Sequence, residues 1–345
     1  MIGTEVLRDH GIGLGKYKIN SKIPYTSLDN LTRRPIVNTQ NIGELSQGIY
    51  VTAIDRDSND NVYVGCDGSS SYERHWLHKF DKHLNELWKV EKFTILTLEV
   101  SPLNELYVSA ILPSSSTTTF QFAKVNTTNG AVIWSKNHMG RNIAFDNEGN
   151  IYVDHNDSLN NKVLKYSPSG DLLWEKALWK STTGTLVTSI AVIEKSVLVL
   201  GDKLYNMSTS DGSFISSTHP GVSKWKTDGR YLYGLKGRTL VKFTSYLSRL
   251  WEVTPPAMYG GKLARDLAIN MEGDIYVRYS GDITADSAYI KVSEGGTIIE
   301  KDIIFTDMSG TGDITISTTD DIYLDGLRTY GAYVMKLPSS FAITK

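Results

Sequence analysis

A short pattern recurs along this chain at a nearly constant interval, and it constrains the fold more than any other feature. A turn followed by an apolar-Tyr-apolar triplet falls at Tyr63, Tyr107, Tyr152, Tyr233, Tyr276 and Tyr323. SVLVL, centred on Leu198, fills the one wide gap, so the intervals are 44, 45, 46, 35, 43 and 47 residues. A Lys between apolar residues keeps step at Lys79, Lys124, Lys165, Lys242, Lys291 and Lys336, with Asn206 in the fourth copy. A third signal is a Trp or a stand-in: Trp88, Trp134, Trp174, Phe214, Trp251 and Ile299.

One copy shows what the unit is. Residues 141–176 read RNIAFDNEGNIYVDHNDSLNNKVLKYSPSGDLLWEK. NIAF, NIYV, VLKY and LLWEK are strand-like, and DNEG, HNDSLNN and SPSG between them are built of turn residues. This is a four-stranded antiparallel meander. Residues 47–345 divided among seven copies give about 43 each, the length of a four-stranded blade. A lone meander with apolar residues on both faces cannot bury both, whereas radial stacking gives each face a neighbour. The expected fold is therefore all-β, a seven-bladed β-propeller over residues 46–345. Trp, Tyr and Phe are expected to fill the wide outer wedge between blades. The recurrent Lys is expected to snorkel or sit at an edge.

Composition agrees: aromatics are 10%, with 29 Gly and only 9 Pro, as many strands joined by tight turns require. A net charge of -2 gives no mark of a nucleic-acid binder. One cysteine, Cys66, excludes an intramolecular disulfide and a Cys-based zinc site. No run approaches a membrane span, and MIGTEVLRDHGIGLGKYKIN lacks the apolar run of a signal peptide. The chain is expected to be cytoplasmic when synthesised, with a virion as a further destination.

GDLLWEK, with SDGSF and NGAVIW as cousins, resembles the Gly-x-x-x-Trp tag of quinoprotein-like propeller repeats. IAFDNEGNIYVDHNDSLNNKVLKYSPSGDLL is similar to an NHL or virginiamycin-B-lyase type blade. The resemblance covers roughly residues 47–345 and implies architecture, not activity. No quinone-binding set is visible, and no cofactor is inferred. The overall look, with Ser/Thr-rich loops, is similar to phage or prophage structural and receptor-binding proteins.

Residues 1–45 lack the repeat and form an N-terminal arm, which could attach the protein, oligomerise it or close the ring. A ring must tie its ends or expose two edges. Two closures are open: a strand from PIVNTQ, or FAITK at the other end.

The motifs of chemistry fail in detail. GIGLGKY at 11–17 has His10 where a phosphate loop needs Gly, and Tyr17 where it needs Ser or Thr. Asp55–Asn61 starts like a calcium loop, but Asp60 replaces the Gly and Cys66 the final Glu. There is no HExxH and no GxSxG. The histidines, His75 and His78 among them, read as surface or loop residues, and Cys66 as a small buried or loop residue. No metal site is expected.

Loop length is more informative. The second-to-third strand loops and the links between blades share one face of a propeller. Three such loops are long: GCDGSSSYERHW (65–76), ILPSSSTTTF (111–120) and RYSGDITADS (278–287). Elaborated loops on a rigid scaffold carry function. Candidate ligand-binding residues there are Asp67, Tyr72, Arg74, His75, Trp76, Arg278 and Asp282. The first functional reading is a non-catalytic binding or scaffold propeller that presents this face to a glycan or protein, with the arm serving a virion or a homo-oligomer. The second is a lyase- or hydrolase-type enzyme at the mouth of the central channel, with His138, Asp154 and His155 as candidate catalytic residues. It requires a polar cluster at a channel mouth.

Overall fold

Twenty-eight strands group into seven antiparallel sheets of four, one per repeat. The computed structural model describes residues 38–41, 49–68, 75–91, 94–112, 120–137, 140–156, 160–180, 186–218, 221–255, 263–280, 287–304, 313–328 and 331–337. Among these no helix occurs. The chain is a seven-bladed β-propeller. Blades one to six are consecutive meanders that begin with inner strands Ile49–Arg56, Thr94–Val100, Ile143–Phe145, Ser189–Ile193, Lys224–Thr227 and Leu263–Ile269. Blade seven takes three strands from the C-terminal part, and its outer strand, Asn38–Asn41, from before blade one. That strand pairs antiparallel with Gly331–Leu337, Asn38 opposite Lys336. The ring is tied between residues far apart in sequence. FAITK and residues 1–37 lie outside the described residues.

The wedge between blades explains the repeat. The second-strand tyrosines 63, 107, 152, 233, 276 and 323 are fully buried. Tyr63, Tyr152 and Tyr233 donate through their hydroxyls to Asp57, Asp146 and Asp228 of the first turn of their own blade, at 3.1, 3.0 and 2.9 Å. The third-strand Lys then reaches across to the next blade. Lys79 Nζ donates to Thr127 O at 2.9 Å, Lys165 to Thr209 O at 3.0 Å and Lys242 to Glu294 O at 3.1 Å. Trp88, Trp174 and Trp251 donate through Nε1 to the same three carbonyls. Lys336 and Tyr323 share Lys82 O and so staple blade seven to blade one. The recurrent Lys is thus not a snorkelling edge residue: Lys165 and Lys242 are buried, and each is the centre of an inter-blade staple. Burial is affordable because the ammonium is met by a carbonyl and, for Lys165, by Asp146 at 3.5 Å.

The Gly-x-x-x-Trp tag has a two-blade meaning. Gly130, Gly170, Gly212 and Gly296 all have positive φ and turn the chain from third to fourth strand. Each lies against the Trp of the preceding blade: an added Cβ would meet the ring of Trp88, Trp134, Trp174 or Trp251 at 2.9 to 3.1 Å. In blades five and one the same left-handed position is held by Leu247 and Leu84. The blades before them offer no Trp. Register places Ser216 opposite Asn206 in blade four, as Trp174 stands opposite Lys165 in blade three. This corrects the alignment: Phe214 is not the Trp equivalent, and neither is Ile299, since Lys291 pairs with Glu300. Where no ring fills the wedge, a leucine does. Leu84 is buried among Tyr323 and Val334 of blade seven and Val51 and Phe80 of blade one, and Leu247 packs on the cluster between blades four and five.

The strands also redraw the long loops. Val62–Gly68 and Trp76–Phe80 leave 69–75, and Ile275–Ser280 and Ser287–Val292 leave 281–286. Arg278 is therefore a strand residue. His75 and His78 are not at the surface but buried; His78 stacks on Phe80, and its Nδ1 lies 2.9 Å from Glu86. Cys66 is buried, and burial raises its pKa, so its thiol is held protonated.

Candidate functional site

The inner strands surround a cavity of ≈ 290 Å³. Each inner strand begins after a link between blades, so its first residues lie on the face that carries those links and the second-to-third strand loops, here the link face. The opposite face carries the short first-to-second and third-to-fourth strand turns, here the turn face. The cavity is lined by both halves of the inner strands, from Arg141, Ser189 and Lys224 at the link face to Glu99, Phe145 and Thr227 deeper in.

Five blades supply its cluster of lysines and carboxyls. Lys224 and Lys226 are two apart on one strand, which turns both the same way. Lys224 Nζ lies 2.8 Å from Asp266 Oδ1 of blade six and 3.8 Å from Asp313 Oδ1, just before the inner strand of blade seven. Lys226 Nζ lies 3.8 Å from Glu99 Oε1 of blade two. Blades two and five are not neighbours, so this pair spans the ring. Asp55 of blade one stands behind Glu99 and accepts from Val100 N at 2.7 Å and Arg56 N at 2.8 Å.

The carboxyls differ in charge state for physical reasons. Burial pushes Asp313 up to about 7, helped by Asp266 and Asp325 and opposed by Lys224. Burial likewise pushes Glu99 up to about 8 against the pull of Lys226, and Asp55 is raised by the same cause. Asp266 is lowered: burial opposes its charge, but Lys224 and Lys226 outweigh it. Lys226 is raised chiefly by Glu99; Lys224 is raised by Asp266 and Asp313 despite burial. Glu99 and Lys226 are one proton-linked pair, and a proton on Glu99 removes most of what raises Lys226. The protein encloses them, yet 30% of the Glu99 side chain and 36% of the Lys226 side chain remain accessible to water in the cavity.

Neighbouring groups hold this wall in place. Arg278 is fully buried, pairs with Asp325 of blade seven, and donates to Asp325 O at 2.9 Å and Asp313 O at 2.6 Å. It fixes the backbone that carries Asp313. Asp154 is 4% exposed, and its Oδ1 accepts from Arg141 N at 2.8 Å and Asn142 N at 2.7 Å, which sets both at the cavity wall. Burial pushes Asp154 up to about 6 against those two N–H donors. Gly140 leaves no room for a side chain, since a Cβ there would lie 2.0 Å from Asp154 O.

Other sequence candidates lie elsewhere. His155 follows Asp154 on the same strand, half-buried, and neither lines the cavity. Asp67 Oδ1 and His75 Nδ1 are 2.7 Å apart on blade one, beside Trp76, which carries Lys89 Nζ 4.3 Å over its ring. His138, Tyr72, Arg74 and Asp282 lie outside the described residues. Sequence reading missed Glu99, Arg141, Lys224, Lys226, Asp266 and Asp313. The signal was KWKT: charges in the first strand of a blade, where apolar residues are the rule. Among the described residues no cluster of three or more His, Cys, Asp and Glu could hold a metal ion.

No family model and no curated protein matches the chain. Solved structures do. A chain of the mitotic checkpoint complex aligns over 95% of this chain and 100% of its own, with a TM-score of 0.62 and 8% identity. A catalytically inactive virginiamycin B lyase from Staphylococcus aureus, solved with quinupristin, aligns over 87% and 99%, at 0.60 and 10%. BamB from Moraxella catarrhalis aligns over 88% and 99%, at 0.52 and 13%. The likeness is one of fold. It agrees with the quinoprotein-like and lyase-like cast of the repeat.

Proposed function

We propose that this chain is a non-catalytic binding propeller that presents its link face to a glycan or protein partner. The observation that carries this reading is the asymmetry of the two faces. On the turn face, short connections are spent on structure: Asp57, Asp146 and Asp228 hold tyrosines, and Thr127, Thr209 and Glu294 supply the staple carbonyls. The strand ends at the link face are joined by the longer connections, 69–75, 112–120, 254–262, 281–286 and 305–313. Asp67, His75 and Trp76 stand at the foot of the first of these. Protein partnership accords with a structural neighbour that is part of a checkpoint complex. Residues 1–37 precede the closing strand and serve in this reading as the attachment arm, to a virion or to further copies.

A second reading, an enzyme at the channel mouth, is favoured by one observation: the cavity holds carboxyls pushed toward neutral pKa beside two lysines. The test is an array of bacterial surface glycans and wall polymers, with the full-length protein as probe. A specific signal that is lost when 112–120 is shortened, and kept when the turn-face residue Ser58 is replaced by Ala, supports the binding reading. Binding that ignores the loop deletion refutes it.

A further inference from the structure

Three cationic side chains, Arg141, Lys224 and Lys226, line the axial cavity. Arg141 lines its link-face mouth, and its guanidinium makes no ion pair with any described residue. Lys224 stands at the same end and Lys226 deeper in. Glu99, Asp266 and Asp313 line the cavity with these three cations, and Asp55 stands behind Glu99. Asp325 behind them is committed to the buried Arg278. Asp266 is held charged by Lys224 and Lys226, while burial raises Glu99 to about 8, Asp313 to about 7 and Asp55 above the ordinary carboxylate range. Around this charge the wall offers Thr52, Thr97, Ser189 and Thr227. The buried Thr52 hydroxyl has no hydrogen-bond partner among the described residues. A volume of ≈ 290 Å³ suits a molecule of a few heavy atoms, at the small end of ligand pockets.

We propose that the axial cavity binds a small organic carboxylate, held by Arg141 at the mouth and by Lys224 and Lys226 within. A guanidinium fork matches a planar carboxylate in two-point fashion. A single negative charge also suits the wall better than a phosphate dianion, which would meet the ionised Asp266 at close range. The Asp154 side chain fixes the backbone of Arg141, and Arg278 fixes that of Asp313, so two walls of the site are set before any ligand arrives. The proposal does not depend on which macromolecule the loops meet, and its test leaves that reading untouched.

Titration calorimetry of the full-length protein with acetate, succinate and gluconate, in chloride-balanced buffer, tests it. Saturable binding of at least one carboxylate is expected. Arg141→Gln should weaken that binding roughly tenfold to a hundredfold, the worth of a charge-assisted hydrogen bond. Its melting temperature should stay put, since the side chain is exposed. Lys226→Met should weaken it also, with circular dichroism confirming the fold. Affinity should fall from about pH 6 to about pH 9, as Glu99 and Asp313 ionise and compete for the cations. Absence of binding by all three probes at millimolar concentration overturns the proposal. So does binding unchanged in Arg141→Gln, or binding of inorganic phosphate alone.

Discussion

The wedge between blades and the cavity on the axis are built from the same strands, yet they obey opposite rules. In the wedge, position decides identity. Where a Trp stands on one blade, a Gly stands on the next; where Ser216 or the closing strand Asn38–Asn41 stands, a Leu follows. On the axis the position repeats and the residue does not. Asp55, Glu99 and Lys226 each stand opposite the second-strand Tyr of their blade, and Lys224 and Asp266 share the position two residues nearer the link face. The wedge is a solved packing problem copied around a ring. The axis is where seven copies had to diverge, because converging identical charges would repel.

The sharpest way to break the comparison is to open the ring. Deleting residues 1–41 removes the outer strand of blade seven and bares the edge of Gly331–Leu337. The wedge staples remain, but the ends are untied. Loss of a cooperative melt, with aggregation on size-exclusion chromatography, is the expected outcome. A monomer with an unchanged melt would show that the staples alone hold the circle.

Next in size is the Trp–Gly lock. Gly170→Leu places a side chain against Trp134 at a residue with φ of 91°. Strain and overpacking together should cost about 4 kcal/mol in chemical denaturation. Trp134→Ser alone should cost a similar amount by emptying the wedge. The double variant copies the natural Ser216–Leu247 arrangement, so it should lose clearly less than the sum, with a coupling of about 1–2 kcal/mol. Strict additivity would mean that the leucines at 84 and 247 are incidental.

These two regions also differ in how far the sequence revealed them. The wedge was legible because packing repeats: Tyr, Lys and Trp kept one period, and a period identifies a blade. What escaped was the partner of each residue. A reader of one strand sees Lys165 between apolar neighbours, but not Thr209 O on the next blade. The shift from Trp174 to Ser216 was hidden as well, because Phe214 two residues earlier supplies an aromatic at nearly the right place. The axis was barely legible. Lys226 and Glu99 are separated by more than a hundred residues, and only the closed ring brings them together. Asp154 drew notice as a polar strand end, and the structure shows it holding Arg141 and Asn142.

That support role gives the third prediction. A folded-state pKa of about 6 for Asp154, above the 3.8 of a free carboxyl, means that the folded state binds a proton which the unfolded chain has released. Its contribution is fully present below about pH 4, and stability falls as pH rises through about 6. The loss is about 3 kcal/mol over that window. Asp154→Asn keeps an acceptor for the two N–H groups and abolishes this slope. Urea melts between pH 4 and 7 read it directly. A slope that survives the substitution would place the proton elsewhere.

The smallest effect should come from Glu99, and its smallness is the point. Its pKa is raised like that of Asp154, also by burial, so the sign is the same: stability is greatest below about pH 4.5 and declines toward about 8. Glu99, unlike Asp154, meets water in the cavity, and its partner Lys226 is equally accessible. That water offsets part of the desolvation and screens the pair, so Glu99→Gln should change stability by less than about 1 kcal/mol at any pH. It should instead change the charge of the cavity, visible as a weaker pH dependence of carboxylate affinity, with the part due to Asp313 remaining. A residue that costs the fold little but governs the charge on the axis belongs to a site. If Glu99→Gln instead destabilised the ring as strongly as Trp134→Ser, the axis would be scaffold like the wedge, and the division between them would fail.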